Sequence, residues 1–261
     1  MKAVIKAIIG GSVIIGVGLI ILVIALALND WKFMPEFEMK HYVAEGEITE
    51  LRIDNSVGNI KTEFYDGEEI TVDYPVSNRY SGSVEEKEGL LTVNGLNKKH
   101  WYNFTFLPIV LPETLVKIPR NTVLKLTVTV NAGKVELGEG EFEKAQITVN
   151  AGSLTAHGVV CAELKCNVNA GAIYVKSLES ASLDCKVNAG AFNAERIACP
   201  QIRVNVSAGS ANFKVAGNRE DYTILVDKSA GSCNVSGQTG ADPDKKLDVG
   251  VSAGSVSVSF I

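Results

Sequence analysis

The chain has 261 residues, a formal net charge of -5 and 46% hydrophobic residues, of which few are aromatic. A mildly acidic chain does not suggest a nucleic-acid partner, because phosphate binding needs a basic surface. The apolar residues are mostly Val, Ile, Leu and Ala, which favours thin, stacked β layers over a bulky core. The 24 glycines and only 7 prolines are typical of many tight turns and few linkers.

An apolar run lies at the N-terminus. Residues 7–28 carry no charge, and as a helix they would span about 33 Å, enough to cross a bilayer core. Lys2 and Lys6 precede the run, so the positive-inside rule predicts a cytoplasmic N-terminus. We therefore expect a transmembrane signal anchor over residues 1–33, with a cell-membrane location and an extracytoplasmic C-terminal domain. A cleaved signal peptide is the alternative, because Ala25-Leu26-Ala27 forms a small-x-small site.

Two segments precede the regular part of the sequence. Residues 34–45 are predicted to form a short polar stalk, and residues 46–120 an irregular β region that caps the repeats. Glu50–Lys61 has the pattern of one early repeat with its own Asn-x-x-Gly turn. Ile70–Tyr74 and Leu90–Val93 alternate apolar and polar residues, which predicts two strands.

Longer loops are expected around these strands, at about residues 75–88 and 95–113. The second loop contains four aromatic residues, which we expect to cover the open end of the repeats or to pack on their side. An interaction site formed by the same four residues is the alternative. These residues are Trp101, Tyr102, Phe104 and Phe106.

A three-residue turn, Asn-Ala-Gly or Ser-Ala-Gly, occurs seven times in residues 121–261. The first four steps between turns are 19 residues each, and a fixed period of this length indicates a repeat architecture. The first and last residues of the turns are Asn131 and Gly133, Asn150 and Gly152, Asn169 and Gly171, Asn188 and Gly190, Ser207 and Gly209, Ser229 and Gly231, and Ser252 and Gly254.

Apolar residues form columns when the 19-residue units are aligned. One column contains Val130, Val149, Val168, Val187 and Val206. Equivalent residues of adjoining coils would stack about 4.8 Å apart and create a core that one coil lacks. The predicted fold class is therefore all-β: a parallel, single-stranded, β-helix-like β-solenoid with coils of about 19 residues, preceded by one transmembrane helix. A chain of hairpins is the alternative, but it would not keep the columns in register so simply.

The repeated turn has a structural explanation. Its glycines are expected to take positive φ, where a Cβ would be strained. The four asparagines are expected to stack at one corner and to pair their amides from coil to coil. Lys228 replaces the usual Val of its column, and we expect a local bulge that turns this lysine outward.

The five cysteines fall mainly on inward columns. Cys166 and Cys185 share a column on neighbouring coils, and we expect them to be small buried apolar residues. A Cys166–Cys185 disulfide is the alternative, since the spacing between coils suits one. No Cys-x-x-Cys pair accompanies them, so a zinc site is not expected.

The charged and histidine residues predict no chemistry. Lys165, Asp184 and Arg203 are expected to form an exposed charge ladder, and such pairs contribute little to stability. The three histidines are scattered over solvated positions, and the Glu139–Glu143 loop lacks the glycine-rich pattern of calcium-binding repeats. We expect no catalytic, cofactor-binding or metal-binding residues.

Four features together resemble a known family. They are the apolar N-terminus, the Leu-Arg-Ile-Asp-Asn-x-x-Gly-Asn-Ile motif at residues 51–60, the Val116–Pro119 segment and the tandem turns. They are similar to the putative-adhesin family of prokaryotic β-strand-repeat proteins, a domain of unknown function, over about residues 46–261. The resemblance implies a β-solenoid and an envelope location, often near envelope-stress genes. It brings no catalytic residues to this chain.

We therefore predict a non-enzymatic cell-envelope protein that presents its repeats for adhesion or interaction with a protein or an envelope polymer. The alternative is an accessory component of envelope-stress signalling that acts through membrane partners. The last strand, Val256–Ile261, has no obvious cap, so end-to-end self-association is also expected.

Overall fold

A computed structural model of the chain describes residues 2–27, 35–99 and 110–261. Within them lie one α-helix, α1, at Lys2–Ala27, a 3-10 turn at Arg219–Asp221, and 19 strands of one sheet. The strands are β1 Glu38–Val43, β2 Glu50–Asn55, β3 Asn59–Tyr65, β4 Thr71–Val76, β5 Tyr80–Lys87, β6 Leu90–Lys98, β7 Thr114–Pro119, β8 Leu124–Val130, β9 Lys134–Val149, β10 Ser153–Val168, β11 Ala172–Val175, β12 Leu178–Val187, β13 Ala191–Ala198, β14 Gln201–Val206, β15 Ser210–Val215, β16 Thr223–Lys228, β17 Ser232–Cys233, β18 Lys246–Val251 and β19 Ser255–Phe260.

The regular strands pair in parallel with an offset of one repeat. Leu154 of β10 faces Val135 of β9 on one side and Ile173 of β11 on the other. The expected inward residues are buried, because successive side chains of a strand point to opposite faces. One column of buried residues runs across eight strands: Leu51, Leu126, Ala145, Leu164, Leu183, Ile202, Leu247 and Ile224.

The strands at both ends of the sheet are not stacked in chain order. Near the C-terminus β18 lies between β14 and β16, although β16 precedes it in the sequence. Near the N-terminus β2 lies between β6 and β8, and β3 lies between β7 and β9. The fully buried Asn55 holds the turn between β2 and β3 against β9. Its Nδ2 donates to the carbonyl oxygens of Gly58 (3.1 Å) and Lys134 (3.0 Å).

Antiparallel strands complete the N-terminal end. β1 pairs with β4, β4 with β7 and β5, and β5 with β6. The turn between β5 and β6 is two residues long, and both Glu88 (φ 50°) and Gly89 (φ 78°) have positive φ. Two such residues form a type I′ turn, whose twist suits a hairpin. The expected loop at about residues 75–88 is therefore wrong, since most of it is strand β5.

The predicted fold class is wrong as a description of this chain. A parallel β-solenoid requires coils that all run in one direction and follow one another in sequence. Here the sheet contains both parallel and antiparallel pairs. At both of its ends, strands also lie side by side in an order that differs from their order in the sequence. The domain is all-β, with parallel strands in repeat register at its centre.

The N-terminal prediction also requires correction. Among the helices of the described residues, none combines the length and the hydropathy that a membrane crossing requires. This finding contradicts the transmembrane anchor predicted over residues 1–33 and the single-pass cell-membrane location that followed from it.

The turn glycines are needed for close packing rather than for unusual backbone angles. Glycines with positive φ occur in the described residues only at Gly58, Gly89 and Gly217, so the expected positive φ at the repeated turns is wrong. A Cβ on Gly171 would instead overlap the carbonyl oxygen of Gly152 in the preceding turn. The other turns of the central strands show the same overlap.

The asparagine ladder is confirmed at the same corner. Nδ2 of Asn150 donates to Oδ1 of Asn131, Asn169 donates to Asn150, and Asn188 donates to Asn169. All three distances are 2.7 Å. The amides therefore form one chain of hydrogen bonds, all oriented in the same direction.

The last strand is not the open edge expected at residues 256–261. β19 pairs along its length with β15 and begins against β17. The Asn234 side chain then bonds both backbone groups of Val258, at 2.8 Å each. β16 and β17 are outermost, and Gln238 pairs with the outer edge of β16 at Ile224.

Lys228 is exposed as expected, but its pairing with Val251 continues the register without a bulge.

Candidate interaction surface

One outward face of the sheet carries a continuous polar strip. It is formed by β2, β8, β9, β10, β12, β14 and β18, which lie side by side and span about 29 Å at the usual strand spacing. Two adjoining depressions of about 160 and 230 Å³ lie on this strip and share Glu163 and Lys165. We call the polar residues that line them the ladder groove: Glu50, Lys125, Thr127, Lys144, Gln146, Glu163, Lys165, Ser182, Asp184, Gln201, Arg203, Lys246 and Asp248.

The position of these side chains follows from the strand period. Each alternates with a buried apolar residue, as Lys165 does between Leu164 and Cys166. Because the strands are in repeat register, residues from neighbouring strands stand beside one another, as Lys165 does beside Asp184. The groove thus places two polar side chains on six of its seven strands and one, Glu50, on β2.

Ion pairs hold several of the groove side chains in place. The Glu163 carboxylate lies 2.8 Å from Lys165 Nζ and 3.4 Å from Lys144 Nζ. The hydrogen bond from Lys165 lowers the pKa of Glu163 and raises that of Lys165. Further along the groove, Arg203 Nε lies 3.5 Å from Asp248 Oδ2. These pairs are partly exposed, so each contributes little to stability but narrows the range of side-chain conformations.

Two charged residues of the larger depression have no such partner. Asp184 lies between Lys165 and Arg203 on the neighbouring strands, but these two pair with Glu163 and Asp248. Asp184 Oδ1 is shielded from solvent and has no hydrogen-bond partner within the described part of the chain. The ion pairs found among the described residues do not include Lys246 either, so an unpaired acceptor and an unpaired donor line one depression.

A second outward face is formed by the first halves of β9 and β10 together with β11, β13 and β15. Its column beside the turns begins with Lys134 and continues with the small, neutral residues Ser153, Ala172, Ala191 and Ser210. His157, predicted to be solvated, is partly exposed and lies 3.1 Å from Glu136 Oε1. That hydrogen bond lowers the pKa of Glu136. Tyr174 on β11 donates a hydrogen bond to Glu195 on the paired strand β13.

The cysteines have no role in the groove. All five are free thiols, and all but Cys233 are buried. Cys166 and Cys185 face each other across β10 and β12, as their shared column predicted. Burial raises the pKa of both thiols, and it raises the pKa of Cys161 to about 11. Buried thiols of this kind are inert packing residues, in agreement with the first of the two expectations.

Other predicted sites are either structural or lie outside the described residues. The turn residues contribute to close packing and to the asparagine ladder. The aromatic candidates Trp101, Tyr102, Phe104 and Phe106 lie outside the described residues. Within residues 2–27, 35–99 and 110–261, no group of three or more His, Cys, Asp or Glu side chains could hold a metal ion.

Sequence reasoning identified the groove only in part. The exposed charge ladder of Lys165, Asp184 and Arg203 was expected, but it was assigned no function. Polar residues fill two adjoining outward columns over five successive units, and this pattern could have indicated the whole groove. The position of Lys246 beside Gln201 could not be expected, because it depends on the insertion of β18 next to β14.

Comparison with known proteins identifies the repeat domain. The family model described as Toastrack DUF4097 matches residues 48–260. No curated protein matches the chain. A solved structure described as a putative adhesin from Parabacteroides distasonis is 15% identical, with 87% of this chain and 97% of that chain covered and a TM-score of 0.52. This similarity concerns the fold alone.

Two further structures are more distant. One, described as a putative adhesin from Bacteroides fragilis, is 12% identical and covers 85% of this chain and 97% of its own, with a TM-score of 0.48. The other, described as a putative lipid binding protein from Parabacteroides distasonis, is 13% identical, covers 85% and 96%, and has a TM-score of 0.37. At these TM-scores neither structure supports an argument about this chain.

Proposed function

Since the chain belongs to the Toastrack DUF4097 family, we propose that it is a non-enzymatic, adhesin-like module that binds its partner along the ladder groove. The observation that carries this proposal is the continuity of the groove across seven adjacent strands. The partner is an extended protein segment or polymer, since a shallow strip about 29 Å long offers many weak contacts rather than one deep pocket.

The state of the groove side chains supports binding. Ion pairs already restrict Lys144, Glu163, Lys165 and Arg203, so less side-chain entropy is lost when a partner binds. An ammonium group in one ion pair still has unused N–H donors, and a carboxylate in one ion pair still has unused lone pairs. A rigid sheet also holds these groups at fixed spacing, which favours a partner with a regular repeat.

The electrostatics of the groove do not favour catalysis. A general acid in an acid–base pair needs a raised pKa. The pKa of Glu163 is lowered instead, by its hydrogen bond with Lys165. The turn glycines and the buried cysteines act as packing residues. The role in envelope-stress signalling and the end-to-end self-association remain predictions; the latter would involve the outer strands β16 and β17 rather than β19.

The proposal is tested by adhesion of bacterial cells to surfaces coated with the full chain. The variant Lys165→Glu/Arg203→Glu reverses two charges in the groove, and Lys176→Glu/Lys214→Glu reverses two exposed charges outside it. We expect the first variant to lose most of the cell retention and the second to retain it. Equal retention by both variants and the unaltered chain would refute binding along the groove. Far-UV circular dichroism and thermal unfolding confirm that both variants are folded.

A further inference from the structure

The larger depression of the ladder groove has the donors and acceptors of a sugar-binding site. We infer that its partner is a neutral, hydroxyl-rich polysaccharide, held at Asp184, Arg203 and Lys246; this inference rests on the proposed function. Asp184 accepts a hydrogen bond from one sugar hydroxyl. Arg203 and Lys246, on the next two strands, donate to hydroxyls further along the glycan chain.

The charge balance of this depression favours a neutral ligand. Three basic residues, Lys165, Arg203 and Lys246, and three acidic residues, Glu163, Asp184 and Asp248, line it. The two signs are equal in number, and they alternate along the column Lys165, Asp184, Arg203 and Asp248, so the field beyond the first contact largely cancels. The chain as a whole carries -5, and a polyanion would therefore gain no long-range attraction.

The unpaired groups determine where a hydroxyl binds. The Asp184 carboxylate takes part in none of the ion pairs found among the described residues, and its Oδ1 has no hydrogen-bond partner there. A carboxylate without a partner can offer its lone pairs to a donor hydroxyl. Arg203 uses Nε toward Asp248, which leaves the N–H donors of its two Nη groups for other acceptors. A hydroxyl can donate to Asp184 and accept from Arg203 or Lys246, whereas a phosphate or carboxylate can only accept.

The geometry of the sheet explains why a polymer fits better than a single sugar. Polar side chains recur on every strand at about 4.8 Å. A hexopyranose ring is similar in length to this spacing. A glycan chain that runs along the strands' stacking direction therefore meets a polar group at each ring and a group of the same sign at every second ring, and the weak contacts add along the strip.

Affinity electrophoresis of the full chain tests the inference. The gels contain mannan or laminarin as neutral glycans, and polygalacturonate as a polyanion. We expect retardation by at least one neutral glycan. The isosteric variant Asp184→Asn should weaken that binding about tenfold, because it removes a charge-assisted hydrogen bond. Glu179→Gln, an exposed change on the same strand but outside the groove, should bind like the unaltered chain.

The variant Asp184→Asn also distinguishes a neutral glycan from a polyanion. If the groove binds polygalacturonate, Asp184→Asn should strengthen binding, because a repelling charge is lost, while Arg203→Gln weakens it. That result would overturn the glycan inference but leave the proposed binding along the groove intact. Absence of retardation by both neutral glycans also overturns the inference. Retardation that neither Asp184→Asn nor Arg203→Gln alters would overturn both proposals.

Discussion

Gly171 packs so closely on Gly152 of the preceding turn that no methyl group fits between its Cα and the Gly152 carbonyl oxygen. The obstacle is backbone, which cannot move aside as a flexible side chain would. We predict that Gly171→Ala lowers the free energy of unfolding by about 1–3 kcal/mol, the usual cost of overpacking. Urea unfolding measures the change.

A matched glycine provides the control. An added Cβ on Gly237 would make only ordinary contact with the Ile224 carbonyl oxygen, at 3.4 Å, and Gly237 does not have positive φ. Gly237→Ala should shift the free energy of unfolding by less than about 0.5 kcal/mol. Equal effects of the two substitutions would show that the turns are not closely stacked.

The asparagine ladder should contribute to stability through its interior members. Asn169 takes part in two ladder hydrogen bonds, with Asn150 and with Asn188, whereas Asn188 takes part in one. We expect Asn169→Ala to cost about 1 kcal/mol and Asn188→Ala about half as much, since these bonds are exposed to water. Thermal unfolding of the two variants gives the comparison. A larger loss for Asn188→Ala would contradict a continuous ladder.

Glu86 should hold residues 42–46 against β5 in a pH-dependent way. Its carboxylate accepts hydrogen bonds from the amides of Glu45 (3.0 Å) and Gly46 (2.9 Å) and from the Tyr42 hydroxyl (2.8 Å). The backbone hydrogen bond from Glu45 is the main reason that the pKa of Glu86 lies below its ordinary value of 4.5. The stabilisation is therefore complete above the unfolded pKa and is lost as the pH falls through the lower folded value.

Amide hydrogen exchange at Glu45 and Gly46 measures this effect. The protection factors should fall between pH 6 and pH 3 in the unaltered chain. In Glu86→Gln they should be low at both pH values, and in the exposed neighbour variant Glu85→Gln they should match the unaltered chain. Protection in Glu86→Gln as strong as in the unaltered chain would show that this carboxylate does not hold the segment.

The cysteines should react according to their burial. Burial raises the pKa of Cys166 and Cys185, and only Cys233 is partly accessible. At pH 8 we expect a thiol reagent to modify about one thiol in the folded chain and all five after unfolding. All five thiols should also react when the chain is unfolded without reductant. Three thiols in the unfolded, unreduced chain would instead indicate a disulfide.

The centre of the sheet could be predicted from the sequence because two periods coincide there. Alternation with period 2 places Leu164 and Cys166 inward, and the 19-residue repeat places Leu183 and Cys185 beside them. Stacked side chains of this kind depend only on local strand geometry and register. The asparagine ladder follows from the same register.

The ends of the sheet could not be predicted in this way. The position of β18 between β14 and β16 depends on how the chain after Cys233 folds back, and no period encodes that path. The Glu88-Gly89 hairpin was missed because Glu is rarely found at positive φ. The glycine requirement was correctly located but wrongly explained, since the approach of the next turn cannot be seen in one strand alone. The groove could not be predicted in full for the same reason, because Lys246 lines it only when β18 lies beside β14.

The most direct test of binding along the ladder groove is a lysine footprint of the full chain with adherent cells bound. Acetylation with a small membrane-impermeant reagent, followed by mass spectrometry, reports the reactivity of each lysine. Binding along the groove predicts slower acetylation of Lys144, Lys165 and Lys246, and unchanged acetylation of Lys176 and Lys214. Protection of Lys176 and Lys214 with no change in the three groove lysines would contradict the account.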